Sequence, residues 1–155
     1  MQRDSIVIIP TFNEKENVER MIRKVMSLEK EFEVLIIDDG SPDGTADIVK
    51  ALMTEFEGRL HIEERLGKQG LGTAYIHGFR WALKRHYTYI FEMDCDFSHN
   101  PEDLERLYDA CIQGADLSVG SRYVKGGKVD NWPLRRVWMS YYASVYVRFV
   151  LGLKV

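Results

Sequence analysis

Phe91-Glu92-Met93-Asp94-Cys95-Asp96-Phe97-Ser98-His99-Asn100-Pro101 is the stretch on which the reading turns, because there an apolar strand ends in two carboxylates and a helix begins. Side chains alternate faces in extended backbone, so Asp94 and Asp96 project to one side and Cys95 to the other. Two acids on one edge invite a cation. Mg²⁺ typically takes one or two carboxylates and completes its shell with water and substrate phosphate oxygens. One reading is a divalent ion shared by Asp94, Asp96 and a diphosphate; the other is a solvated turn in which one Asp caps the next helix. Asn100 as N-cap, Pro101 at the first helical position and the acids Glu102 and Asp103 announce that helix. Its stripe is Leu104, Leu107, Tyr108, Cys111 and Ile112.

Upstream the same alternation repeats. Residues 5–10 form a β-branched run that reads as a strand buried on both faces. Asn13 with Glu16 makes a capping pattern ahead of a stripe of Val18, Met21, Ile22, Val25 and Leu28. A second strand over 32–37 stops at Asp38-Asp39-Gly40-Ser41-Pro42-Asp43-Gly44, and a helix from about Thr45 turns Ile48, Val49, Leu52, Met53 and Phe56 inward. Residues 60–65 predict a third strand. Gly67, Gly70 and Gly72 then precede a helix over 73–85, residues 89–93 a fourth strand and 117–121 a fifth. Strands alternating with helices and reading as solid apolar runs predict an α/β fold, a mainly parallel sheet with helices on both faces. In such a sheet ligands sit beyond the carboxyl ends of the strands, near the topological switch point. The polar segments 10–14, 38–39, 94–96 and Arg122 all fall at that rim, and their convergence is the main internal argument for an active site.

At 155 residues, with 45% hydrophobic and 29% charged positions, the composition is that of one soluble globular domain. With Arg3 and Asp4 followed directly by a strand pattern, no signal peptide is expected, and no apolar run approaches bilayer length. Cys95 and Cys111 lack metal-ligand spacing and read as packing thiols in a reducing, cytoplasmic compartment. The net charge of −3 is uneven: seven of the 21 Lys and Arg lie from Arg122 onward, against one of the 24 Asp and Glu. That asymmetry suits either an anionic surface or ligand, or a tail that neutralises the acidic body. No nucleic-acid partner is expected.

Phosphate-binding signatures narrow the ligand. The P-loop pattern is missing, and the glycines of the dinucleotide fingerprint should follow the first strand, whereas Gly67, Gly70 and Gly72 follow the third with other spacing. A sugar nucleotide remains, with acids for base or ribose and a metal for the diphosphate.

Five segments in order, Ile9-Pro10-Thr11-Phe12-Asn13-Glu14, Ile37-Asp38-Asp39-Gly40-Ser41-Pro42-Asp43-Gly44-Thr45, Gly70-Leu71-Gly72-Thr73-Ala74-Tyr75, Asp94-Cys95-Asp96 and Gly120-Ser121-Arg122-Tyr123, resemble family 2 glycosyltransferases of the Rossmann-like A-type fold. The branch they are most similar to is the dolichyl or polyprenyl phosphate mannosyltransferases. The resemblance implies that Pro10, Phe12, Glu14, Ile37 and Asp39 surround the guanine and ribose of GDP-mannose. It implies further that Asp94 and Asp96, flanking Cys95 in the donor-binding segment, hold Mg²⁺ or Mn²⁺, with Ser98 as a further metal-side ligand. Phe12 stands where relatives more often have Tyr, which keeps the aromatic face and removes a hydrogen bond. Lys68 either reaches a phosphate or is a solvated loop lysine. Arg122, Arg136 and Ser140 match positions used around an acceptor phosphate, in keeping with the basic tail.

The implied reaction is inverting transfer of mannose from GDP-mannose to a polyprenyl phosphate. Catalysis would rest on Asp94, Asp96 and Arg122. Because the acceptor oxygen is already anionic near neutral pH, no general base is required, and His61, His77, His86 and His99 read as structural, capping or solvated. The organisation expected is a nucleotide-sugar-binding domain over 1–133 and an amphipathic helix over 134–155. On that helix Leu134, Val137, Trp138, Tyr141, Tyr142, Val145, Tyr146, Phe149 and Val150 repeat with helical period. Such a stripe suits peripheral contact with the cytoplasmic face of a membrane, packing on the sheet, or a second subunit in a homo-oligomer. Because family members continue further, the chain reads as shortened. The alternatives are a UDP-sugar-dependent relative with another acceptor, or a donor-binding module without turnover.

Overall fold

The structure, a computed structural model, describes residues 4–121 and 133–152. The chain divides into two compact units, Met1–Ser118 and Val119–Val155. The first is built on strands β1 (Ser5–Thr11), β2 (Glu33–Asp38), β3 (Leu60–Glu64) and β4 (Tyr89–Glu92). They pair in the order β3-β2-β1-β4, and every pairing is parallel. Parallel neighbours require crossover connections. Helices α1 (Val18–Met26), α2 (Thr45–Met53) and α3 (Leu71–Lys84) supply them, and α4 (Asp103–Ile112) follows β4.

Period-two alternation sorts the central strands into two cores. Val7, Ile9, Val34 and Ile36 pack with Val18, Met21, Ile22 and Val25 of α1, Val49 and Leu52 of α2, and Leu104 of α4. Ile6, Ile8, Leu35 and Ile37 pack instead with Ala74, Trp81 and Ala82 of α3. All eight of these strand side chains have 0% exposure, which is why β1 and β2 read as unbroken apolar runs. Helix α3 lies close against β1 because residue 78 is glycine: a Cβ there would stand 2.6 Å from Ile8 Cγ2.

Three local expectations are corrected. Helix α1 starts at Val18 and not near Asn13, which takes a left-handed φ of 59°. The Glu14 carbonyl accepts from the N–H groups of Asn17 and Val18, so a turn occupies the segment where the capping pattern was expected. Helix α4 likewise starts at Asp103, since Asn100 Oδ1 accepts from the Glu102 N–H at 3.2 Å and forms a preceding turn. The fifth strand expected over 117–121 is not formed; Leu117 and Val119 are 79% and 60% exposed. An alternating apolar run becomes a strand only where a neighbour accepts its backbone hydrogen bonds.

In the second unit, α5 (Leu134–Leu151) follows Pro133 and ends at Gly152, whose φ of 63° is the left-handed conformation common just past a helix. The helical period is realised, yet the single stripe is not. At 3.6 residues per turn Val147 falls opposite Trp138, and Met139, Val147 and Leu151 are exposed along with every stripe residue but the half-buried Val137. Among the described residues no helix is long and apolar enough to cross a membrane.

Candidate functional site

The loops after β1 and β2 are stitched together by polar side chains of the turn. The N–H groups of Asn13, Glu14 and Lys15 donate in succession to Ser41 Oγ, Thr45 Oγ1 and Asp43 Oδ2, at 3.0, 3.1 and 3.1 Å. Asp38, 1% exposed, accepts from the Thr11 hydroxyl at 2.9 Å and from the N–H and hydroxyl of Ser41. Ser41-Pro42-Asp43-Gly44-Thr45 therefore shapes the rim from beneath, which its turn chemistry explains. Gly40, with φ of 70°, lets the neighbouring loop approach, because a Cβ would stand 2.9 Å from the backbone nitrogen of Gly67.

Beyond the carboxyl ends of β1, β2 and β4 lies a cleft of about 250 Å³. It opens where the strand order reverses, β1 having β2 on one side and β4 on the other. Pro10, Phe12 and Glu14 enter from β1, Asp39 from β2, Lys68 and Gly70 from the loop after β3, and Asp94, Cys95 and Asp96 from β4. Asp39 is held from two sides: Arg65 Nε donates to its Oδ1 at 2.6 Å and the Gln69 N–H to its Oδ2 at 3.1 Å. The side chains of Arg65 and Asp39 are each only 7% exposed, so this ion pair ties the glycine loop to the end of β2. Lys68 Nζ sits 4.7 Å from the centroid of the Phe12 ring, a cation–π contact inside the cleft.

Both acids of the β4 loop face the cleft. The Tyr75 hydroxyl donates to Asp94 Oδ1 at 2.9 Å, while the Ser98 N–H donates to Asp96 Oδ1, also at 2.9 Å. The Ser98 hydroxyl and N–H, with His99 nearby, outweigh burial and hold the Asp96 carboxyl below its ordinary range. Burial, then the charge of Asp94, pushes Glu92 upward. Burial also pushes the Cys95 thiol up to about 12, with the charges of Glu14, Asp96 and Asp94 adding to it. Cys95 is 3% exposed among the core side chains and stays a protonated packing thiol. Among the described residues no three His, Cys, Asp or Glu side chains form a metal-holding group. A hard divalent ion still suits the pair, because two carboxylates on one cleft leave the rest of its shell to water and ligand oxygens.

The model of the family described as "Glycosyl transferase family 2" matches residues 6–154. The chain belongs to glycosyl transferase family 2. The polyprenol monophosphomannose synthase of Mycolicibacterium smegmatis is 48% identical over 151 residues, 97% of this chain and 57% of that protein. The undecaprenyl-phosphate mannosyltransferase of Micrococcus luteus is 45% identical over 150 residues, 97% of this chain and 61% of that protein. The chain thus spans between 57% and 61% of the length of these curated relatives. Among solved structures, S. aureus TarS 1–349 in complex with UDP-GlcNAc is similar with a TM-score of 0.56 and 23% identity, over 71% of this chain and 31% of that one. At that identity the likeness is one of fold.

In this family 2 chain the cleft gathers Pro10, Phe12, Glu14, Asp39, Lys68, Asp94, Cys95 and Asp96 of the expected residues. Ile37 is elsewhere: its side chain is 0% exposed in the core against α3, which leaves only its backbone near the rim. Ser98 does not line the cleft either; its hydrogen bond to Asp96 closes the turn two residues on from the acid. Arg122 lies outside the described residues. Arg136 and Ser140 lie on α5, in the second unit. Sequence reading missed Arg65 and Tyr75. Arg65 ends a run taken as plain strand, and Tyr75 closes the segment 70–75, whose residues suggest no partner 19 positions on.

Proposed function

We propose that this chain carries the donor site of a metal-dependent, inverting transferase that moves mannose from GDP-mannose to a polyprenyl phosphate. The observation that carries the reading is the shared cleft, in which Phe12, Glu14, Asp39 and Lys68 line the same space as Asp94 and Asp96. An aromatic face and an acid suit a nucleobase and ribose; a lysine and an acid pair suit a diphosphate with its cation. The sugar and the acceptor class come from the names of the relatives at 48% and 45% identity.

Asp94 and Asp96 would hold the Mg²⁺ or Mn²⁺, Phe12 would offer its ring to the base, and Lys68 would leave that ring for a phosphate oxygen. When bound, such an ion neutralises the charge that develops on the departing nucleoside diphosphate. By their match to the family's acceptor positions Arg122, Arg136 and Ser140 would meet the acceptor phosphate, the arginines through a planar fork of donors. One of its anionic oxygens displaces the diphosphate at the anomeric carbon directly, which inverts that centre and needs no protein base.

A polyprenyl tail is dissolved in a bilayer, so the reaction takes place at a membrane surface. Helix α5 suits peripheral contact there, on the cytoplasmic face, because Trp138, Tyr141, Tyr142, Tyr146 and Phe149 are exposed beside Arg135, Arg136 and Arg148. The test is equilibrium binding of GDP-mannose and UDP-glucose in Mn²⁺ or in EDTA, followed by assay and sedimentation with vesicles containing polyprenyl phosphate. In Mn²⁺, GDP-mannose should bind at least about tenfold tighter than UDP-glucose and clearly tighter than it does in EDTA, and the protein should sediment with the vesicles. Preference for the UDP-sugar would overturn the mannosyl assignment, and failure to sediment would overturn the membrane contact.

A further inference from the structure

We propose that Tyr75 is a positioning residue for the acid pair: its hydroxyl fixes one oxygen of Asp94 so that the other is presented to the cation. The inference rests on reading Asp94 and Asp96 as the cation's ligands. The two acids are oriented by different means. Asp96 is set locally, by the Ser98 N–H two residues on. The hydrogen bond to the Asp94 side chain comes from Tyr75, 19 residues earlier in the chain, at 2.9 Å.

The χ2 torsion of an aspartate is broad, so a carboxylate without a donor samples many orientations. A cation that takes only two protein oxygens depends on both being aimed at one point. Tyr75 can do the aiming because its own ring is immobilised. It is packed against the core cluster of Ile6, Ile8, Leu35, Ile37, Ala74 and Trp81, and its hydroxyl reaches from α3 to the β4 loop. Gly70, Leu71 and Ala74, from the start of the same helix, line the cleft. One helix thus shapes the wall of the donor site and holds one of its acids. A partner behind a metal ligand typically contributes about 10–100-fold to metal affinity.

The experiment compares the 155-residue chain with its Tyr75→Phe and Asp94→Asn variants, titrating each with Mn²⁺ alone and counting the free ion by electron paramagnetic resonance. Phenylalanine keeps the packed ring and deletes only the donor. The expected result is Mn²⁺ affinity about tenfold weaker or more in Tyr75→Phe, and weaker still in Asp94→Asn. The melting temperature of metal-free Tyr75→Phe should stay close to that of the parent, as should its affinity for GDP in EDTA. If Tyr75→Phe binds Mn²⁺ like the parent while Asp94→Asn does not, the positioning role is overturned and the acid-pair reading stands. If Asp94→Asn binds Mn²⁺ like the parent, the acid-pair reading fails and the inference falls with it. A Tyr75→Phe variant that loses GDP binding in EDTA to the same degree as Mn²⁺ binding would show a merely structural tyrosine, which also overturns the proposal.

Discussion

Asp96 and Asp39 are both cleft acids, yet they are built for different work. Asp39 is almost fully buried, and both of its oxygens already accept hydrogen bonds, from Arg65 and from the Gln69 backbone. A buried carboxylate held this way organises the loop around it, and any ligand group approaching it must share it with Arg65. Asp96 is exposed, tied only within its own turn, and depressed in pKa, so it is ionised and available across the physiological range. Asp96→Ala should therefore cost Mn²⁺-dependent GDP-mannose affinity at least about 100-fold, more than removal of an outer partner. Because the side chain supports no core contact, the melting temperature should hardly move. Isothermal titration calorimetry in Mn²⁺ and in EDTA, with a thermal melt beside it, checks this, and unchanged affinity in Mn²⁺ rejects Asp96 as a ligand. At this scale the sequence showed which residue types were gathered, Asp94 and Asp96 above all, since their spacing puts them on one side of the backbone. It concealed Arg65 and Tyr75, because a hydrogen bond across 19 or 26 positions leaves no periodic trace.

Helix α3 is the element through which the sheet and the site are joined. Its packed face reaches β1 at Gly78, and its first turn lines the cleft. Gly78→Ala would put a Cβ 2.6 Å from Ile8 Cγ2 and 3.0 Å from Ile8 Cδ1, so the helix or the strand must shift. Overpacking of this kind costs about 1–3 kcal/mol, which urea melts will read as a lower midpoint. Combined with Ile8→Ala, which removes the atoms that clash, the loss should be clearly less than the sum of the two single losses. Strict additivity would show that the contact is not what limits residue 78. The type and order of β1 to β4 and α1 to α5 follow from hydrophobic period. Helix starts do not, because Asn13 takes a left-handed φ in a turn ahead of α1 and Asn100 Oδ1 accepts within the turn ahead of α4. The segment 117–121 alternates like a strand and is none, since strand formation depends on a neighbour that its own residues do not encode.

Across the first unit, the entry to β1 is locked by a group that draws on distant parts of the chain. Asp4 accepts from Lys30 Nζ at 2.7 Å, from the Ser5 hydroxyl at 2.6 Å and from the Tyr108 hydroxyl of α4 at 2.8 Å. Burial alone would raise its pKa; the hydrogen bonds from Lys30, Ser5 and Tyr108, with the charge of Lys30, outweigh it and lower the value from 3.8 to about 2. A folded pKa below the unfolded one means stabilisation that is complete above the unfolded value and lost as pH falls through the folded one. Urea melts from pH 5 to pH 2 should therefore show the parent losing its advantage over Asp4→Asn between about pH 4 and pH 2. A constant difference across that window would rule out the lowered carboxyl. Sequence by itself determined the layered α/β plan and the rim on which its polar segments fall, because burial writes the period of each element into its own residues. It also carried the family, since the order of the segments is a property of the chain. Only tertiary structure decided that Ile37 belongs to the core, that Arg65 holds Asp39, and that Tyr75 stands behind Asp94. Those outcomes depend on the parallel register of β1 with β2 and β4 and on how closely α3 approaches Ile8, and both are set by packing between residues far apart in the chain.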